Sequence, residues 1–196
     1  MKRNKTVYLV KISLLSCLAA VLMLFDFPVF FSPSFYELDF SEIPVLLGTF
    51  SLGPVAGVII EFLKIIIKLL IKGTSTAYVG EIANFVIGVA FILPAGIIYK
   101  KIKSKKGAII GLITGTLTLA LLSIPMNAFV LVPFYSEFYK LPMDVIIGMG
   151  TKIIPLITDM FTFAIFAVFP FNLFKGICVS VITLLVYKHL SPILHK

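Results

Sequence analysis

Charge is what this sequence has least of. Asp, Glu, Lys and Arg together make up 13% of the 196 residues against 60% hydrophobic residues, and mean hydropathy is +1.12. A soluble domain of this length has too little interior to hide so much apolar surface, which excludes the ordinary globular classes. Cysteine is scarce too. Cys17 and Cys178 each sit inside an apolar run, so they read as small hydrophobes and not as a disulfide or a metal pair. The only histidines, His189 and His195, fall at the C-terminal end, which argues against an intramembrane Ser–His pair. There is no H-E-x-x-H, no G-x-S-x-G and no Walker A loop. The chain therefore shows no enzyme signature and has no loop with which to hydrolyse ATP itself. Nor is there an obvious two-fold internal repeat, which fits poorly with a self-sufficient secondary carrier.

What is present is a set of apolar runs, several approaching or exceeding the roughly 20 residues that cross a bilayer. The net charge of +8 does not point to nucleic acid, because the basic residues gather at segment ends: Lys2, Arg3 and Lys5; "KKIKSKK" from Lys100 to Lys106; and Lys188, His189, His195 and Lys196. That is the positive-inside distribution of a membrane protein. The first apolar run is too long for a usual signal core and lacks a clear cleavage site, so it reads as a retained helix.

If all three basic clusters are cytoplasmic, an even number of crossings separates each pair. Between the N-terminus and Lys100 this requires two crossings in the 43–72 run, and Gly53-Pro54 supplies the break. After Lys106 it requires one long final helix, preceded by a shorter helical piece on the outer side at about 145–157. The expected fold class is thus an all-α integral membrane protein, a single membrane domain over 1–196. It has six transmembrane helices at about 7–25, 40–53, 54–72, 78–100, 106–131 and 162–189, both termini in the cytoplasm, and a long outer loop between helices one and two. Helix two is the short one: Ile43 to Gly53 reaches only about 16 Å at 1.5 Å per residue.

The outer loop, "DFPVFFSPSFYELDFSE", carries two prolines, six aromatics and four acids. It reads either as a functional loop or as an aromatic segment at the membrane interface. Inside the apolar segments five polar residues stand out: Glu81 and Asn84, Asn127, and Asn172 with Lys175. The first and last pairs are spaced i, i+3 and share a helix face. Glu81 and Lys175 have opposite charges and could relieve one another by pairing. Amides offer donors and acceptors together, which suits a small ligand that is neutral or weakly charged and part flat, with Phe and Leu as apolar walls. The plainer alternative is hydrogen bonding between helices, worth about 0.6 kcal/mol per contact. On the third helix Glu61, Lys64, Lys68 and Lys72 stripe one face. There Glu61 is expected to pair with Lys64, while Lys68 and Lys72 snorkel outward. Helix one carries small residues, with Ser16 and Ala20 in small-xxx-small spacing, for internal packing or for a partner.

The blocks "YELDFSEIPVLLGTFSLGPVAGVIIEFLK", "GTSTAYVGEIANFVIG", "MNAFVLVPFY" and "PFNLFKG" together resemble the riboflavin-specific S components of energy-coupling-factor (ECF) transporters. The resemblance implies a six-helix vitamin-binding subunit of the cell membrane, with no cofactor and with riboflavin as cargo. The vitamin binds near the outer face, and a transmembrane coupling protein with two ATPases powers release inside. By motif it implies ligand contacts from Glu81, Asn84, Asn127, Asn172 and Lys175, with Leu38, Asp39 and Phe40 from the loop. It places coupling-protein contacts at Ser16 and Ala20; the family pattern is alanine at both, so Ser16 departs from it. The alternatives are an S component for thiamine or a pterin, a membrane enzyme acting on lipid head groups with Glu81 and Lys175 as acid and base, and a purely structural subunit.

Overall fold

The computed structural model describes residues 5–33 and 36–194, with side chains to residue 187. Of the basic clusters, Lys2, Arg3, His195 and Lys196 lie outside the described residues, as do the side chains of Lys188 and His189. Helix α1 (Lys5–Met23) leads into a two-stranded antiparallel hairpin, β1 (Phe27–Pro28) and β2 (Glu37–Leu38), with Phe27 opposite Leu38. Then come α2 (Glu42–Leu52), α3 (Pro54–Lys72), α4 (Val79–Lys101) and α5 (Lys105–Met126). The last of these continues through a π-helical turn, Asn127–Leu131, into α6 (Val132–Phe138). A short α7 (Met143–Thr151) follows, then α8 (Met160–Phe163), a second π-helical turn at Ala164–Val168, and α9 (Phe169–Leu194).

The chain is a helical membrane protein. Among the described residues, four helical stretches are long and apolar enough to cross a bilayer: Lys5–Met23, Val79–Lys101, Lys105–Phe138 and Met160–Tyr187. Their lipid-facing sides carry Leu14, Ile113, Leu121, Phe129, Val181 and Leu185, all exposed. Without water, the only way to satisfy every backbone amide in such a stretch is to keep it helical. Helix α2 is apolar but shorter, and every one of its residues is buried. It is an interior helix, which is why its eleven residues need not match a bilayer's thickness.

Local chemistry explains the breaks. Gly53 has φ 105°, a conformation that favours glycine, and Pro54 opens α3 at the first helical position, where its missing N–H costs nothing. The two helices therefore meet with no loop between them. At the same end of the bundle, where Gly96 and Tyr99 of α4 pack on Pro54 and Phe50, Ser104 caps α5 by accepting from the Gly107 N–H at 3.2 Å. Asp159 caps α8 with a capping box, accepting from the Phe161 and Thr162 N–H groups. Each π-helical turn lies beside a proline, Pro125 in one case and Pro170 in the other.

Helices α4 and α5 approach one another closely. A side-chain carbon at Gly111 would come within 2.7 Å of the Ala95 carbonyl, and one at Gly115 would collide with the Phe91 carbonyl. One core cluster joins α1 to α5 and α9 around Leu46, Ile60, Phe91 and Leu112. A second joins the two π-helical turns to α7 around Ile146, Ile157, Phe163 and Val168. The expected piece at about 145–157 is α7, shorter and earlier. The helices expected at about 106–131 and 162–189 are α5 and α8 with α9; each stretch includes one π-helical turn, and the first runs on to Phe138.

Candidate functional site

Between the two core clusters, at the hairpin end of the bundle, lies a cavity of about 640 Å³. That volume falls within the range of small-molecule sites.

The ion pair on its wall begins in the chain's choice of loop residue. Asp39 follows β2 and is buried; its Oδ1 accepts from the Ser41 N–H at 2.8 Å, and its Oδ2 takes the Lys175 ammonium at 2.6 Å. Burial by itself raises the Asp39 pKa, but Lys175, Lys64 and the two hydrogen bonds overcome that and hold it at about 2. Asp39 is therefore ionised at neutral pH, and Lys175, which sits on α9, is spoken for. This corrects the expected partnership of Lys175 with Glu81.

Glu81 instead closes a different joint. Its Oε1 accepts from Lys68 at 2.8 Å, and its Oε2 accepts from Thr74 at 3.0 Å and Thr76 at 2.7 Å. The carboxylate thus ties α3, the turn after it and α4 together, and it is not among the residues lining the cavity. Lys68 does line it, held inward by Glu81 and not snorkelled out as the stripe on α3 suggested. Leu38 is buried behind the wall, and Phe40 packs its ring 6.1 Å from that of Phe27. Neither lines the cavity.

The three amides play different parts. Asn172 donates from Nδ2 to the Val168 carbonyl at 3.0 Å, which fixes its orientation. Its Oδ1 takes no hydrogen bond among the described residues. Asn84 lines the cavity with both amide groups free among the described residues. Asn127 opens the first π-helical turn, donates to the Ser123 carbonyl at 2.8 Å and accepts from the Tyr36 hydroxyl at 2.7 Å. It positions a tyrosine. Tyr36 sets its ring 5.4 Å from that of Phe171, tilted by 39°, and the two build an aromatic wall. Burial, with Tyr135 adding to it, pushes the Tyr36 hydroxyl well above the usual range, so it stays a neutral donor.

The sequence reading missed Tyr36, Glu42, Lys68, Tyr135 and Phe171 as lining residues. Tyr36 and Glu42 were within reach, since both stand in the aromatic loop already singled out. Ser16 and Ala20 are buried inside the chain, and Ser16 spends its hydroxyl on the Ile12 carbonyl at 2.8 Å. No group of three or more His, Cys, Asp or Glu side chains able to hold a metal ion occurs among the described residues.

A cavity with aromatic walls, free amide groups and members of three ion pairs, Asp39–Lys175, Glu42–Lys64 and Lys68–Glu81, has the chemistry of a site that holds a small molecule. The relatives agree. The family model for the ECF transporter substrate-specific component matches residues 7–187. The riboflavin transporter RibU of Staphylococcus aureus (strain TCH60) is 36% identical over 196 residues, covering 100% of this chain and 95% of that protein. The riboflavin transporter FmnP of Bacillus subtilis (strain 168) is 32% identical over 185 residues, covering 94% and 92%. A solved structure described as the S component of a bacterial ECF transporter superimposes with a TM-score of 0.76 at 35% identity, covering 98% of this chain and 100% of that one. The chain belongs to the family of substrate-specific components of ECF transporters.

Proposed function

We propose that this chain binds riboflavin in the cavity at its hairpin end and hands it to the cytoplasm together with a transmembrane coupling protein and two ATPases. The observation that carries the reading is the pairing of free amides with an aromatic wall. Asn84 and Asn172 expose donors and acceptors to the same space that Tyr36 and Phe171 flank with rings. An isoalloxazine is flat and has an edge of alternating carbonyl and N–H groups, which amides match. Its ribityl chain offers hydroxyls to the Lys175–Asp39 pair. Identities of 36% and 32% to two riboflavin transporters over nearly the whole chain support the same ligand.

The arrangement in the membrane follows from the same reading. Residues 1–196 form a single domain with six crossings: α1, α2, α3, α4, α5 with α6, and α8 with α9. The hairpin and cavity face outward and both termini lie in the cytoplasm, the polarity that the Lys100–Lys106 cluster requires in the cell membrane. Ligand contacts come from Asp39, Asn84, Asn172 and Lys175 directly. Asn127 acts through Tyr36, while Glu81, Leu38 and Phe40 act by holding the wall. Ser16 and Ala20 serve as packing residues of α1 in the isolated chain.

The test is to purify the chain from cells grown with the vitamin and identify what copurifies by mass spectrometry. Riboflavin at up to one molecule per chain is expected, with a yellow preparation. Thiamine or a pterin in its place would reassign the substrate within the family.

A further inference from the structure

We propose that the Glu42–Lys64–Glu61 cluster beneath the cavity is a proton-binding site, holding one exchangeable proton on its two carboxylates.

The cluster is built from two helices. Glu42 stands in the first turn of α2, and Glu61 and Lys64 are i, i+3 on α3. The Lys64 ammonium lies 2.7 Å from Glu42 Oε1 and 2.8 Å from Glu61 Oε2. Lys64 and Glu61 are fully buried and Glu42 is 3% exposed. One ammonium thus faces two carboxylates, and the neighbouring Asp39–Lys175 pair is neutral in itself. With every acid ionised, the interior would carry one uncompensated negative charge, a state that hydrocarbon surroundings heavily disfavour.

Three oxygens show where a proton belongs. Glu42 Oε2 and both oxygens of Glu61 are buried and take no hydrogen bond among the described residues, the Lys64 contact with Glu61 Oε2 being an ion pair only. The helix opposite leaves them room: a side-chain carbon at Gly88 of α4 would collide with Glu61 Oε1 and lie 3.2 Å from Glu42 Oε1. A proton on Glu61 neutralises the cluster while Glu42 keeps its contact with Lys64. The charged groups that bear on Glu61 are Glu42 from α2, Lys64 on α3 itself and Asp39 from the segment before α2. Helix α4 offers it Gly88, and α1, which also packs on α3, contains no carboxylate. No third acid completes a set for a metal among the described residues. Glu42 and Gly88 both line the cavity, so the proton reaches the cluster through that space, and a molecule filling the cavity closes the route.

The experiment uses the purified full chain in detergent with no vitamin added, so it stands or falls apart from the riboflavin assignment. Infrared spectroscopy should show a protonated-carboxyl C=O stretch that shifts in heavy water, disappears in E61Q, and survives D144N, which changes an exposed acid on α7. A carboxyl protonated in the folded state loses its advantage as pH rises towards and past its folded pKa. The thermal midpoint of the unmodified chain should therefore fall by roughly 3–8 °C between about pH 6 and about pH 9. E61Q and E42Q should each flatten that slope, because either leaves one charge of each sign. The double variant, with Lys64 buried alone, should melt lower than both at every pH. A missing infrared band with a midpoint that does not move with pH overturns the proposal. So does a midpoint set by sodium against choline at fixed ionic strength, which would make the compensating charge a metal cation.

Discussion

Lys175 holds its ammonium 2.6 Å from a buried aspartate, on the wall of a cavity that a membrane protein would otherwise line with hydrocarbon. Losing a charged hydrogen bond from this pair to a ribityl hydroxyl costs roughly 1.5–3 kcal/mol, so Lys175→Met should weaken riboflavin binding at least tenfold. Quenching of flavin fluorescence measures it, and an unchanged dissociation constant would remove Lys175 from the site. The partner residue sets an acid limit. The Asp39 pKa is lowered from 3.8 to about 2, so its contribution to stability is complete above about pH 4 and is lost as pH falls through about 2. Thermal melts across that window should show the loss, and Asp39→Asn should flatten it. Asn127 and Tyr36 share one hydrogen bond. Asn127→Leu and Tyr36→Phe should each reduce affinity, and the double variant should lose less than the sum of the two, since either single change already breaks the bond. Strict additivity of the two losses would show that Asn127 touches the ligand on its own account.

Among the elements, the break between α2 and α3 was legible because glycine and proline carry their backbone preferences in their own covalent structure. The two π-helical turns were not, since nothing in the hydrophobic period distinguishes a widened turn from a regular one. The same limit explains the misassigned ion pair. Spacing along a helix shows which residues share a face but not what stands opposite. The partner of Lys175 came from the loop, 136 positions away, while Glu81 was taken by Lys68 and two threonines. The small residues of α1 were likewise readable as a seam, but spacing left open whether it packs inward or meets a partner. Ala20 is fully buried, and an isobutyl side chain in place of its methyl overpacks a filled space at a typical cost of about 1–3 kcal/mol. Ala20→Leu should therefore lower the thermal midpoint by roughly 2–12 °C and carry any loss of uptake with it. A variant that melts like the parent yet fails to copurify with a coupling protein would return Ala20 to a partner interface.

At the scale of the whole molecule, composition alone supports a helical membrane protein, and the amides in its apolar runs point to the region where the cavity lies. The cavity's detailed shape depends on contacts that no single run contains: an aromatic loop folded back over the bundle, two widened helices and the close approach of α4 to α5 at Gly111 and Gly115. The central claim is that this space takes riboflavin, one molecule per chain, between the Tyr36–Phe171 wall and the amides of Asn84 and Asn172. The most direct measurement is a fluorescence titration of riboflavin with the purified chain, stripped of bound vitamin, repeated with the double variant Asn84→Leu, Asn172→Leu. The account predicts saturable quenching at one to one for the chain, and affinity at least tenfold weaker for the variant at an unchanged melting temperature. Saturable quenching that the variant reproduces in full, or no quenching by the parent chain, would contradict it.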